Sequence, residues 1–154
     1  MNTFVTWTDA LSVGIDAIDA QHRVLVDLVN EMHDAMVRNY GNQVVDDILT
    51  RLAEYARIHF ALEEGLMRMQ GYPRLEEHKQ EHLDLISRLN DLRARFDSGN
   101  TKLSMELMDL LKFWLTTHIM ESDQHYARFF VESGALSSQA QRSWIFRIWD
   151  HLND

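Results

Sequence analysis

The stretch that decides the fold is His59-Phe60-Ala61-Leu62-Glu63, in which an imidazole and a carboxylate stand four residues apart. Four residues make slightly more than one turn of an α-helix, so side chains at this spacing lie on the same face. His78 and His82 repeat the spacing farther along the chain. Further side chains of the same two kinds occur at His22, His118 and Asp123. Five imidazoles and two carboxylates arranged in this way indicate a metal cluster inside a helical protein.

Four amphipathic segments contain these seven residues, and four of the six glycines punctuate them. Their approximate limits are Ala17 to Asn39, Asn42 to Gln70, Pro73 to Asp97, and Thr101 to Val131. Each segment carries apolar residues at helical spacing, and Pro73 suits the first turn of its helix. Because the connections are short, consecutive helices should be antiparallel neighbours. The sequence therefore predicts an all-α fold, an up-down-up-down four-helix bundle.

Both ends of the chain extend beyond the bundle. Residues 1–16 lack a helical period and are predicted to form an N-terminal arm whose Trp7 packs on the bundle, so that the main domain spans residues 1–134. Residues 135–154 are predicted to form a C-terminal extension with an amphipathic helix from Ser137 to Leu152. Its apolar stripe favours docking on its own bundle. A protein partner or self-association through residues 137–152 is the alternative, and a membrane surface is a weaker one.

Composition excludes several classes of function. A net charge of −9 argues against nucleic acids and anionic membrane surfaces as partners. The absence of cysteine excludes disulfides, iron–sulfur clusters and thiolate zinc sites. No segment approaches the roughly 20 apolar residues that a membrane span requires, and the first residues do not resemble a signal peptide. We therefore expect a cytoplasmic protein.

The bundle geometry places the seven candidate ligands at one level of the core. His22 and His78 lie near the starts of their helices, whereas His59 and His118 lie in the later halves of theirs, so antiparallel packing brings them together. Two octahedral ions offer about twelve positions, of which five imidazoles, two bridging carboxylates and one shared solvent oxygen fill about eleven. The position that stays open would bind a small ligand. The five-residue step from His118 to Asp123 requires either that they approach the ions from two sides or that a π-bulge redirects one of them.

These residues resemble the hemerythrin family over about residues 4 to 131. The resemblance is carried by Asp19-x-Gln21-His22, His59-Phe60-x-x-Glu63-Glu64, Tyr72-Pro73, His78-Lys79-x-x-His82, and Trp114-Leu115-x-x-His118-Ile119-x-x-x-Asp123. The C-terminal extension is not part of the basic family domain, but such extensions occur in the bacterial branch, which this chain resembles.

The resemblance implies two non-haem iron ions, bridged by oxo or hydroxo oxygen, that bind O₂ reversibly. It implies that His78, His82 and His118 hold a coordinatively filled iron. His22 and His59 would hold the iron with the open position, and Glu63 and Asp123 would bridge the two. The residues that it places in the lining of the O₂ pocket are Phe60, Trp114, Leu115 and Ile119.

The leading interpretation is a non-enzymatic oxygen carrier, store or supplier. Five neutral imidazoles leave an iron pair less electron-rich than carboxylate-dominated di-iron sites, and the Glu-x-x-His motif of those sites does not occur around the ligands. One alternative is a redox or O₂ sensor that signals through the C-terminal helix. Another is the handling of iron, nitric oxide or peroxide.

For the remaining histidines, glutamates and methionines, the sequence predicts structural roles. His33, His125 and His151 are predicted not to be ligands. Glu64 and Glu121 are predicted to face solvent, although Glu64 is also a candidate acceptor for a ligand histidine. Core packing is predicted for Met67, Met69, Met105, Met108 and Met120. Gly65 either allows a close approach of a neighbour or is a tolerated surface glycine.

Overall fold

The structure, a computed structural model, describes residues 3–96 and 100–132, and this part of the chain is entirely helical apart from its connections. Its α-helices are α1 (Asp16–Val37), α2 (Asn42–Gln70), α3 (Leu75–Arg95), α4 (Thr101–Thr117) and α5 (Gln124–Glu132). A π-helical segment, His118–Asp123, joins α4 to α5, and a short 3₁₀ turn spans Asp9–Leu11. The predicted limits of the second helix agree with those of α2.

The helices form a closed four-helix bundle. Helix α1 packs on α2, α2 on α3, α3 on α4, and α4 returns to α1. The connections are short, which makes consecutive helices antiparallel. The apolar stripes meet in one core, with Met32, Leu107 and Ile18 almost completely buried. The predicted all-α bundle is confirmed.

Glycine and asparagine define the helix ends. Gly71 follows α2 in the left-handed conformation (φ +66°), and its N–H donates to the carbonyl of Arg68 over 3.2 Å. This arrangement satisfies a terminal carbonyl that the helix itself leaves without a partner. At the start of α4 the Asn100 side chain accepts a hydrogen bond from the backbone N–H of Leu103. Helix α3 begins only at Leu75, so the prediction that Pro73 lies in its first turn was wrong.

The N-terminal arm packs along the bundle. The Asn30 side chain accepts the backbone N–H of Val5 over 2.8 Å and donates to the carbonyl of the same residue over 2.8 Å. The guanidinium of Arg23 lies 4.9 Å from the ring centre of Trp7. The arm is extended as predicted, except for the turn at Asp9–Leu11, and helix α1 begins at Asp16.

Three of the five methionines predicted to lie in the core are exposed. Met67 and Met108 are buried, whereas Met69, Met105 and Met120 are 69%, 60% and 49% exposed. Met67 and Met69 are two residues apart, about 200° around a helix, so only one of them can face the core. Composition alone could not decide between the two faces.

Two predicted features lie outside the described residues. One is the turn at Ser98–Gly99. The other is the C-terminal part of the chain, with Gly134 and the amphipathic helix predicted from Ser137 to Leu152. Among the helices that are described, none combines the length and the apolar character needed to cross a membrane.

Candidate metal centre

All seven predicted ligands are buried together in the core. Helix α1 contributes His22, α2 contributes His59 and Glu63, α3 contributes His78 and His82, and the π-helical segment contributes His118 and Asp123. Each of the seven is at most 5% exposed. A cluster of ionisable groups this deeply buried is costly unless the groups bind one another or cations.

The π-helical segment brings His118 and Asp123 to one face. Hydrogen bonds in a π-helix join residues five apart, and these two residues are five apart. His118 Nε2 lies 3.2 Å from Asp123 Oδ1. Of the two arrangements that the sequence left open, the structure therefore shows the π-helical one. Single π turns are uncommon and occur often at functional sites.

The ligand-forming atoms fall into two groups that share Glu63. We call the first the three-histidine group (Glu63, His78, His82, His118 and Asp123) and the second the two-histidine group (His22, His59 and Glu63). Within each group the atoms lie within 4.8 Å of one another. Such spacing is compatible with donors around a single ion.

Asp123 also faces both groups, one oxygen toward each. Its Oδ1 lies 3.0 Å from Nε2 of His78, and its Oδ2 lies 3.1 Å from Nε2 of His22. The two carboxylates, Glu63 and Asp123, therefore stand between the groups. Carboxylates in this position can each contact two ions.

The buried cluster fits cations because its donor atoms are not satisfied by protein. Within residues 3–96 and 100–132, the four carboxylate oxygens of Glu63 and Asp123 make no well-formed hydrogen bond, although three of them lie 2.9–3.6 Å from histidine ring nitrogens. The same holds for both ring nitrogens of His22 and for Nε2 of His78. Buried polar atoms are rarely left in this state in proteins. Nitrogen and carboxylate donors without thiolate suit iron, zinc, manganese or copper.

When no metal ion is bound, proton binding balances the negative charges of the cluster. Burial and the charge of Asp123 raise the pKa of Glu63 to about 8. Burial opposes protonation of His118, but the nearby charge of Asp123 and the hydrogen bond to Glu81 raise its pKa to about 10. Burial opposes ionisation of Asp123, but His118 holds its pKa well below the usual range. Cations would replace these protons.

Two other histidines are held neutral. Burial lowers the pKa of His59 to about 4, and burial together with His118 and His78 lowers the pKa of His82. At neutral pH their rings therefore keep an unprotonated nitrogen, which is the form that binds metal ions.

Three side chains orient the histidines from outside the cluster. His59 Nδ1 donates to Oε1 of Gln21 over 2.6 Å. His82 Nδ1 donates to Glu64 Oε2 over 2.9 Å. Each of these bonds leaves Nε2 directed into the cluster, the usual arrangement around metal-binding histidines. The prediction that Glu64 faces solvent was wrong, and the alternative role as an acceptor is the one that the structure shows.

The third acceptor, Glu81, was missed by the sequence analysis. Its Oε2 accepts from His118 Nδ1 over 2.9 Å, although the side chain is 46% exposed. Glu81 follows His78 by three residues on a highly charged helix, so no pattern distinguishes it from the neighbouring glutamates. Glu121, in contrast, is exposed as predicted.

Aromatic rings cover the three-histidine group. Phe60 stacks on His82 with ring centres 3.8 Å apart, and Trp114 stacks on His118 at 4.3 Å. Phe60, Trp114 and Leu115 also line an apolar cavity of about 20 Å³. Ile119, the fourth predicted lining residue, is buried but does not line it. This volume suits one very small molecule.

The other described histidines lie outside the cluster. His33 stacks on Phe4 with ring centres 4.4 Å apart. His125 lines an open polar cavity of about 440 Å³ that His78 also lines, but it belongs to neither ligand group. His151 lies outside the described residues. Among the described residues, neither His33 nor His125 therefore belongs to a ligand group, as expected.

Residues 13–130 match the hemerythrin HHE cation binding domain. This chain belongs to the hemerythrin family. It is 38% identical over 123 residues to a bacteriohemerythrin of Stenotrophomonas maltophilia, a match that covers 80% of this chain and 79% of that one. It is 32% identical over 124 residues to a bacteriohemerythrin of Clostridium acetobutylicum, with 78% of this chain and 96% of that one covered. The cation-binding character of the family agrees with the unsatisfied donors of the cluster.

Solved hemerythrin structures share the fold. The crystal structure of a wild-type hemerythrin matches with a TM-score of 0.69 and 30% sequence identity, covering 81% of this chain and 96% of that one. A single-residue mutant of hemerythrin matches with a TM-score of 0.71 and 28% identity, covering 83% and 98%. The shared part is the four-helix bundle that carries the candidate metal centre.

Proposed function

We propose that this hemerythrin-family chain holds two non-haem iron ions in the buried cluster and binds O₂ reversibly. The observation that carries the proposal is the set of unsatisfied donors that divides into two groups around Glu63 and Asp123. A single ion cannot use seven protein donors, whereas two ions sharing two carboxylates can. The donor set suits several metals, and membership of the hemerythrin family supports iron among them.

The two groups would hold the ions unequally. His78, His82 and His118 supply three imidazoles to one ion, and His22 and His59 supply two to the other. Glu63 and Asp123 serve both. The ion in the two-histidine group therefore has fewer protein donors, which supports an open position for a small ligand on that side.

Two ferrous ions held by these residues would supply the electrons for O₂ binding, and the protein supplies a dry pocket. Two residues that line the apolar cavity lie about one helical turn from the two-histidine group. Leu25 follows His22 by three residues, and Ala56 precedes His59 by three. Leu115 and Phe60 continue its wall. A diatomic molecule fits a space of about 20 Å³ better than larger substrates do.

The cavity lining favours binding over catalysis. Its ten described residues carry no acidic or basic side chain: Leu25, Val29, Leu52, Ala56, Phe60, Leu85, Leu89, Leu111, Trp114 and Leu115. Cleavage of the O–O bond requires protons, and a pocket without ionisable groups supplies none at the cavity. The nitrogen-rich donor set also disfavours highly oxidised iron. Both features support an oxygen-binding protein rather than an oxidising enzyme.

An optical spectrum tests the proposal. Anaerobically reduced protein should gain a visible ligand-to-iron charge-transfer band on exposure to air and lose it on degassing. His59→Ala should abolish the band, whereas His33→Ala, which changes a histidine outside the cluster, should retain it. Irreversible bleaching, or steady consumption of O₂ and reductant, would instead support an enzyme.

A further inference from the structure

The carboxylate acceptors of the cluster are distributed unequally. Glu64 accepts from His82 and Glu81 accepts from His118, both over 2.9 Å, and both histidines belong to the three-histidine group. In the two-histidine group, His59 donates to the neutral amide of Gln21. We infer that Glu64 and Glu81 act through His82 and His118 to make the ion of the three-histidine group the more electron-rich of the two.

The physical basis is the charge of the acceptor. A carboxylate that accepts the Nδ1–H of an imidazole draws the proton toward itself and increases the basicity of the opposite nitrogen. An amide oxygen does so much less, because it carries no net charge. Within the described residues, Nδ1 of His22 has no hydrogen-bond partner at all. The basicity of two of the three imidazoles in the three-histidine group is therefore increased. In the two-histidine group, neither imidazole gains basicity in this way.

The two glutamates are held in place for this role. The Glu64 side chain is only 18% exposed, although it lies on a helix rich in charged residues. Glu81 also lies beside Ser122, which is in the π-helical segment between His118 and Asp123. The same segment therefore supplies two candidate ligands and a polar neighbour for the acceptor of one of them.

The difference assigns an order to the reduction of the ions. Stronger donors stabilise the ferric state, so the ion of the three-histidine group should be reduced second. The ion of the two-histidine group should be reduced first and remain the stronger Lewis acid, which suits the side with the open position. This inference rests on the proposed function, since it requires two irons in the cluster.

The test is a redox titration of the iron-loaded protein, preceded by its iron content. Glu64→Gln and Glu81→Gln keep the acceptor oxygen but remove the charge, and each should shift the second reduction step about tenfold in its equilibrium, about +59 mV for one electron. Gln21→Glu should shift the first step in the opposite direction. Glu106→Gln, at an exposed residue of α4, is the control for net charge and should shift neither step.

Several results would overturn the inference. One is a shift in Glu64→Gln and Glu81→Gln that does not exceed that of Glu106→Gln, and another is a shift of the first step instead of the second. Loss of iron from either variant with unchanged helical content would show that the carboxylates only hold the ligands. Fewer than two irons in the unmodified protein would instead contradict the proposed function.

Discussion

The half of the bundle around Leu107 and the half around Glu63 are equally buried, but their buried atoms differ in kind. Leu107 and Met32 have no measurable exposure and contact other apolar side chains. Glu63 is buried to the same degree, yet among the described residues its carboxylate oxygens make no well-formed hydrogen bond and Oε1 faces the ring nitrogens of His59 and His82. Apolar burial stabilises the first half by itself, whereas in the second half the buried carboxylates need protons or cations to balance their charge.

This difference indicates which interactions stabilise each half of the bundle. Burying an apolar side chain contributes roughly 1.5–3 kcal/mol, whereas each buried polar atom without a partner costs about 1–3 kcal/mol. The poorly satisfied carboxylate oxygens of Glu63 and Asp123 therefore offset part of the gain from the surrounding apolar residues. The apolar half should fold without metal, and the half around Glu63 should depend on it.

The largest expected effect follows removal of iron under reducing conditions with a chelator. We expect hydrogen exchange to accelerate in the π-helical segment and in the later half of α2, while the early halves of α2 and α4 stay protected. Restoring iron should restore protection. Equal acceleration in both halves would show that the two do not differ in stability as described.

Leu107→Ala should destabilise the apolar half by about 2–5 kcal/mol, because it leaves a cavity among buried side chains. The loss should be similar with and without iron, as measured by denaturant unfolding. Met105→Ala is a suitable control, because Met105 lies on the same helix but is 60% exposed. A loss that appears only in the metal-free protein would contradict the separation of the two halves.

The pH dependence should distinguish the metal-free from the iron-loaded protein. Without iron, the pKa of Glu63 is raised to about 8 from 4.5 and that of His118 to about 10 from 6.5. Between pH 6.5 and 8 the folded state therefore binds more protons than the unfolded state, and the free energy of unfolding should fall as pH rises. The slope should approach about 1.4 kcal/mol per pH unit for each proton.

The buried histidines with lowered pKa values make the free energy of unfolding rise with pH, but only at lower pH. His59, with a pKa of about 4 in place of 6.5, adds stability as pH rises toward 6.5 and nothing above it. Iron displaces the protons from Glu63 and His118, so binding of iron at pH 7 should release protons, measurable by calorimetry in buffers of different ionisation enthalpy. Binding without proton release would contradict the protonation of the cluster.

The smallest effect is expected from Gly65→Ala. A Cβ at Gly65 meets nothing within 4 Å, which favours the tolerated surface glycine over the close approach. The substitution should raise the free energy of unfolding by roughly 1 kcal/mol through helix propensity, without changing iron binding. Gly71→Ala should lower it, because Gly71 has a positive φ of 66°. A loss of iron in Gly65→Ala would show that backbone flexibility in α2 is needed by the cluster.

The sequence predicted the features that depend on periodicity. The limits of α2, the antiparallel packing and the meeting of the ligand histidines at one level follow from the 3.6-residue repeat and short connections. The i,i+4 pairs also follow from helix geometry alone. For these features, a residue's position along the helix determines where its side chain lies.

Features that depend on tertiary choice could not be predicted in the same way. The five-residue step between His118 and Asp123 was compatible with two backbone geometries, and packing in the bundle selects the π-helix. Glu81 is one of several similar glutamates on α3, and only the fold shows that it contacts His118. Met69 and Met105 could not be assigned to a face by residue type.

The central claim, that seven buried side chains hold two cations, is tested most directly by the iron content of protein produced with sufficient iron. Elemental analysis should give two irons per chain, and Asp123→Asn, which removes a carboxylate that faces both groups, should lower this number. One iron or none in the unmodified chain, with the bundle correctly folded, would contradict the account.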